Sequence, residues 1–332
     1  MDPLVRFHNQ HPPEAAGSLF EELLAGLAAT PKHTSPKFFY DRRGSELFAA
    51  ICEQPEYYLT RTEEAILRAA AADIAEMVGR DATLIELGSG ASRKVRLLLE
   101  ALHPVCYLGV DISRDFLLAS THRLAKDYPW LEVHAACADF TRPMAWPEGL
   151  AGERPVAFFP GSSIGNFTPE EAKGFLEGLA TLLPAGGGLL IGVDLIKDRA
   201  ILDAAYNDAA GVTAAFNLNL LERLRHEFEA EVEPQEFRHS AFYNEADSRI
   251  EMHLVSLRNQ AIRVAGERVD FEEGETLHTE SSYKYSIPGF RKLAGGAGFV
   301  PRAYWTDRHA LFCIHYLEVR PDGFAGNPVY AA

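Results

Sequence analysis

Between Thr83 and Asp194, short apolar runs alternate with longer stretches of helical period. The runs are Thr83 to Leu87, Tyr107 to Val110, Glu132 to Ala136, Val156 to Phe159 and Leu189 to Asp194. A strand apolar along its whole length is buried on both faces, and strands separated by helices of about a dozen residues form βαβ units. The pattern therefore predicts an α/β fold built on a parallel, Rossmann-like sheet with helices on both sides. Capping boxes, in which a hydroxyl covers an orphan N–H and a glutamate three residues on reaches back, predict helix starts at Ser18 with Glu21, Thr60 with Glu63, and Thr168 with Glu171. Pro169 follows the last of these, where its missing N–H costs nothing.

The order changes after Asp194. A helical stretch from Ala204 to Phe228 leads into strand-like segments at Phe237 to Tyr243, Ile250 to Leu257 and Ala261 to Val264, with Gly266 and Gly274 as turn points. This predicts an insertion with its own small sheet. A helix then begins at Ile287, with Pro288 near its start and Gly298 beyond its end. Val300 to Trp305 and Leu311 to Val319, joined by the Asp307-Arg308-His309 turn, predict an antiparallel hairpin that completes the first sheet.

Composition excludes several classes. The 332 residues, 47% hydrophobic and 24% charged, suffice for a sizeable core. A net charge of −15 without any run of Lys or Arg disfavours nucleic acid and anionic membranes as partners. No apolar stretch has spanning length, and no signal segment opens the chain. The cysteines, Cys52, Cys106, Cys137 and Cys313, make no C-x-x-C pair, so buried thiols in a reducing cytoplasm are expected. The twelve histidines form no H-x-x-x-H or H-x-x-E-H cluster, and no metal is expected. The acidic surface suggests a monomer.

The first strand ends in Glu86-Leu87-Gly88-Ser89-Gly90 and the second in Gly109-Val110-Asp111, which places an acid about twenty residues past the glycines. Glycines let the backbone approach a ligand, and a carboxylate there accepts both ribose hydroxyls. Gly90 is followed by Ala91-Ser92-Arg93 rather than by a third glycine, so little is provided for a pyrophosphate. The combination favours adenosine without phosphate. Asp139-Phe140, after the third strand, offers an acceptor for the adenine amino group and a ring to pack on it. The plainer alternative is a tight strand-to-helix turn with Asp111 and Asp139 as helix caps. Lys94 is either a partner for the cofactor's carboxylate or a solvated charge.

With these residues placed, the chain resembles the histidine-specific methyltransferases of ergothioneine biosynthesis from about Pro31 to Val319. The motifs that carry the resemblance are Phe39-Tyr40-Asp41 with Gly44-Ser45 and Leu47-Phe48, Pro55-Glu56-Tyr57-Tyr58 with Thr60-Arg61, Gly161 to Asn166, Ala205-Tyr206, Thr213-Ala214-Ala215-Phe216-Asn217, Glu251-Met252 and Glu280-Ser281-Ser282. Leu59 departs from the proline that relatives often carry, and the chain beyond Arg320 exceeds the resemblance.

The resemblance implies a class I methyltransferase core that uses S-adenosylmethionine and releases S-adenosylhomocysteine, and a smaller α+β substrate domain. In residue terms, 1–59 and 197–286 would form the substrate domain, 60–196 and 287–320 the core, and 321–332 a tail. Tyr40, Phe48, Gly88, Ser89, Gly90, Lys94, Asp111, Asp139, Phe140 and Gly161 would serve the cofactor. Tyr57 and Asn166 match positions that hold the substrate's amino group, Tyr206 one that holds its carboxylate, and Glu280 with Ser282 the pair that grips the imidazole. Met252, Thr213 and Phe216 would complete the pocket. The implied reaction is trimethylation of the α-amino group of L-histidine to hercynine. Two rivals remain at this stage: methylation of another aromatic amino acid or small amine, and a cofactor-binding module without catalysis. The amino-acid clamp speaks against the second, and the paired acid and hydroxyl against an indole or phenol acceptor.

Overall fold

The computed structural model describes residues 4–10, 15–142 and 144–322, without the side chains of 15–18. Of the expected tail, residues 323–332 lie outside the described residues. The chain divides into two units. One comprises the described residues up to 10, Leu59–Ile196 and the described residues from Lys284 onward; the other comprises residues 15–58 and Lys197–Tyr283.

The first unit is a mixed sheet in the order Arg6–Asn9, Glu132–Cys137, Cys106–Asp111, Ala82–Leu87, Arg154–Phe159, Gly188–Asp194, Phe312–Val319 and Phe299–Thr306. Pairing is parallel through Gly188–Asp194, after which the last two strands run antiparallel, as the sequence predicts. Every residue of Ala82–Leu87 and Gly188–Asp194 is buried, which is why these stretches show no alternation. Ile85, Leu87, Val110, Phe159, Ile191 and Phe290 belong to one continuous core. Asp307 fixes the hairpin turn by accepting from the N–H groups of His309, Leu311 and Phe312.

One strand was not anticipated. Arg6–Asn9 pairs in parallel with Glu132–Cys137 at the sheet edge, so this stretch joins the core rather than the substrate part expected for residues 1–59. Its four residues are too few to carry a periodic signal.

Of the capping boxes, Thr168 keeps its role: its hydroxyl accepts from the Glu171 N–H and the Glu171 carboxylate accepts from the Thr168 N–H, at the head of the helix Pro169–Leu182. Thr168→Ala should cost about 1 kcal/mol of folding stability, measured by urea unfolding. The other two expectations are corrected. Ser18 lies within the helix Ala15–Ala28, and Thr60 within the helix Tyr58–Val78. Glu63 is completely buried, because Leu59, Thr62, Glu63, Ile66, Leu67 and Ala70 share the inward face of that helix.

The second unit contains a sheet in the order Lys32–His33, Thr276–Tyr283, Arg249–Ser256 and Phe237–Asn244, and a hairpin Gln260–Val264 with Glu267–Phe271. The helical stretch expected at Ala204 to Phe228 is two helices, Arg199–Ala205 and Val212–Glu227. Asp208 causes the break: its carboxylate accepts from the N–H groups of Val212 and Thr213, each at 2.7 Å, and so starts the second helix. A bulge between His278 and Glu280 interrupts the register of Thr276–Tyr283 against Arg249–Ser256.

Candidate active site

In the first unit the expected cofactor residues converge on the carboxyl ends of the parallel strands. The strand order reverses on either side of Ala82–Leu87, the position where open α/β sheets bind ligands. The turn after this strand is built by Gly88 and Gly90, with φ of 68° and 50°, a backbone region that favours glycine. Gly88 and Ser89 donate to the Val110 carbonyl at 2.9 and 3.1 Å, and Gly90 donates to Asp111 Oδ2 at 2.9 Å. Asp111 Oδ1 accepts from the Ser113 N–H. Burial pushes the Asp111 carboxyl upward, opposed by hydrogen bonds from Ser113, Gly90 and Ile112. Asp111 therefore holds the glycine turn from the end of the second core strand.

Asp139 accepts from the Thr141 N–H at 3.0 Å, and Phe140 packs edge-on against Phe159 and Phe175. The Phe140 ring borders the open side of Gly88. A carboxylate at the end of the second strand, glycines without side chains and an adjoining aromatic ring fit an adenosine-bearing cofactor.

Lys94 has an ion-pair partner within the protein. Its Nζ lies 2.6 Å from Glu63 Oε2, and the Gly161 N–H donates to the same carboxylate at 2.9 and 3.0 Å. Glu63 thus ties the helix Tyr58–Val78 to Lys94 and to the loop after the fourth core strand. A methyl group at Gly192 would collide with Glu63 Oε1, so glycine there makes room for the carboxylate. The sequence offered a signal for Glu63, which falls on the apolar stripe of its helix.

Glu86 was also passed over. It is buried, accepts from the Tyr107 hydroxyl at 2.6 Å, and burial pushes its carboxyl up to about 8. Its position in an otherwise apolar strand, two residues before Gly88, was the available signal.

The loop bearing Asn166 is fixed from several directions. Gly161 is held by Glu63, the Ser162 hydroxyl accepts from the Asp194 N–H at 2.8 Å, and Gly165 donates to the Ser162 carbonyl. Asp194 is itself paired with Lys284 at 2.9 Å, both side chains having no solvent exposure. Asn166 ends the short 3-10 turn Ser163–Asn166 and is half-buried.

The expected substrate residues other than Asn166 belong to the second unit. Tyr57 and Tyr206 meet edge to face at 6.2 Å, and the Tyr206 hydroxyl donates to Ser282 Oγ at 2.9 Å. Burial raises the Tyr57 phenol well above its ordinary range, reinforced by Tyr206, Cys52, Glu280 and Tyr40. Tyr57 is a neutral hydroxyl at physiological pH. Met252 is opposite Glu280 across the sheet, so the two share one face.

Phe216 packs against Tyr40 and Phe48 at 5.9 and 6.1 Å, and Phe48 against Tyr57 at 6.3 Å. Tyr40 and Phe48, expected to serve the cofactor, belong to the second unit, in one aromatic cluster with Tyr57, Tyr206 and Phe216. Thr213 is buried at the start of its helix. Of the cysteines, Cys106, Cys137 and Cys313 are buried as expected, whereas Cys52 is half-buried. Among the described residues, no helix is long and apolar enough to cross a membrane.

Known proteins similar to this chain were identified over most of its length. The chain is 42% identical over 299 residues to the histidine N-alpha-methyltransferase of Mycolicibacterium smegmatis, covering 88% of this chain and 92% of that protein. It is 41% identical over 310 residues to the protein of the same name from Mycobacterium tuberculosis, covering 91% and 96%. Ergothioneine biosynthesis protein 1 of Neurospora crassa is 33% identical over 298 residues, covering 83% of this chain and 32% of the longer fungal protein. The family model for histidine-specific, S-adenosylmethionine-dependent methyltransferases matches residues 19–319, and the chain belongs to that family.

Proposed function

We propose that the protein transfers three methyl groups to the α-amino nitrogen of free L-histidine, giving hercynine for ergothioneine biosynthesis. The observation that carries this reading is an acid and a hydroxyl on one strand of the second unit's sheet: Glu280 opposite Met252, and Ser282, which the Tyr206 hydroxyl reaches from the end of a helix. A carboxylate accepts an imidazole N–H, and a serine hydroxyl serves the second ring nitrogen.

When bound, S-adenosylmethionine supplies an electrophilic methyl group on a sulfonium sulfur. The protein's task is then to present a nitrogen lone pair in line with the sulfur–methyl bond. Asp111, Asp139, Phe140 and the Gly88–Gly90 turn hold the adenosine. The Tyr57 hydroxyl orients the amine, the Tyr206 hydroxyl turns its hydrogen from Ser282 to the substrate carboxylate, and Thr213 and Phe216 close the pocket. Because Tyr57 stays neutral, it directs the amine by hydrogen bonding, and the displaced proton passes to water. Repeated transfer ends at the quaternary nitrogen, which has no lone pair.

Tyr57→Phe should lower kcat roughly three- to tenfold, the worth of one hydrogen bond, with the KM for cofactor held. Unchanged rates at every methylation step would remove Tyr57 from the mechanism. The reading as a whole is tested by mass spectrometry of histidine, tryptophan and tyrosine incubated with protein and S-adenosylmethionine. A mono-, di- and trimethylated series on histidine alone is the expected result; methylation of another amine, or of none, would overturn it.

A further inference from the structure

The sheet Thr276–Tyr283, Arg249–Ser256, Phe237–Asn244 has a second face. Along Arg249–Ser256, Glu251 and His253 alternate with Met252 and so point away from it. His278 is opposite His253, and the bulge at Thr279 then brings Glu280 opposite Met252. Glu251, His253 and His278 thus share the face turned away from the residues assigned to substrate.

On that face one ligand atom from each of the three lies within 4.8 Å of the others. His253 Nε2 is 3.0 Å from Glu251 Oε2, and the two imidazole rings stack at 4.7 Å with their planes 19° apart. The hydrogen-bond pattern resembles the outer shell of a metal site. Glu251 Oε1 is occupied by Arg249 Nε and Nη2 at 2.8 and 2.7 Å and by Asn244 Nδ2 at 2.9 Å, which turns Oε2 toward His253. Arg249 also reaches Asp247 at 3.3 Å, which offsets its charge. His278 Nε2 lies 3.0 Å from the Glu280 carbonyl, which can only accept, so Nε2 carries the proton and Nδ1 keeps its lone pair. His253 faces Glu251 Oε2 through Nε2, so a cation shared with Glu251 binds there and moves the ring proton to Nδ1, which is buried with no hydrogen-bond partner.

We propose that Glu251, His253 and His278 form a binding site for a borderline divalent cation of the Zn²⁺, Co²⁺ or Ni²⁺ class. Two imidazoles and one carboxylate suit these ions, whereas Mg²⁺ and Ca²⁺ demand oxygen-rich shells. Three protein ligands leave a fourth position for water. Bond lengths of about 2.0–2.2 Å require the ligand atoms to draw together to about 3.4 Å, which side-chain torsions of the two rings supply. The ligands come from two strands, one of them bulged, so no local spacing announces them in the sequence. The cation would brace the strand that carries Glu280 from behind, without touching substrate.

The test uses the full chain, freed of metal by a chelator and kept free of histidine, which itself binds these ions. Co²⁺ absorption and Zn²⁺ calorimetry should show one equivalent bound, with affinity at least tenfold weaker in His253→Gln and in His278→Gln. Magnesium should not compete. Absence of a stoichiometric site, or binding undiminished in both variants, overturns the proposal. Should the variants fail to fold, the ¹¹³Cd resonance of the wild-type protein decides it: a shift for nitrogen and oxygen ligands supports the site, and one for an all-oxygen shell refutes it. None of these readouts depends on methyl transfer.

Discussion

Glu280→Ala is expected to lower kcat/KM for histidine roughly ten- to a hundredfold while leaving cofactor affinity unchanged. The carboxylate lies in the second unit, opposite Met252, and the cofactor turn and Asp111 lie in the first. Removing the acceptor leaves an imidazole N–H without a partner, which costs about 1–3 kcal/mol when the group is buried. Discrimination should shrink by a similar factor, since an amine without an imidazole loses nothing from the change. Calorimetric titration with S-adenosylhomocysteine, beside initial rates on histidine, separates the effects. Equal loss of cofactor affinity and histidine use would refute the assignment of Glu280 to the imidazole.

Lys284→Met is expected to destabilise the fold by about 3–5 kcal/mol. The Lys284–Asp194 pair is wholly buried at 2.9 Å, and truncating Lys284 removes the buried cation that faces the Asp194 carboxylate. Urea unfolding should show a lowered midpoint at an unchanged slope. Adding Asp194→Leu should restore most of the loss, because a well-packed apolar pair replaces a buried ion pair at little net cost. A double variant as unstable as the single one would show that a stranded Asp194 charge is not the source of the loss.

The core was legible in the sequence because parallel strands covered on both faces are uniformly apolar, and no other element produces short apolar runs at that spacing. Gly88, Gly90 and Asp111 were legible for a related reason: a turn at positive φ and an acid one strand away are local features. Glu63 was misread because the same spacing that makes a capping box also occurs inside a helix, and only burial of one helix face distinguishes the two. The strand Thr276–Tyr283, which bears Glu280 and Ser282, was visible only as a family motif. Its bulge at Thr279 shifts the inward-facing positions by one, so no alternation survives. Tyr40 and Phe48 were legible only as parts of family motifs, since no local sequence signal assigns an aromatic residue to one cluster rather than another.

On the proposed assignment of Glu280 and Ser282 to the imidazole, that bulge makes the length of the strand part of acceptor specificity. Point substitutions at Glu280 or Ser282 leave the reading frame of the sheet intact, so acceptor preference can drift in small steps. Loss or gain of one residue between His278 and Glu280 would instead exchange the inside and outside of everything that follows, presenting a different set of side chains at once. Retargeting of this scaffold is therefore open to exchange of residues and closed to insertion or deletion at this point.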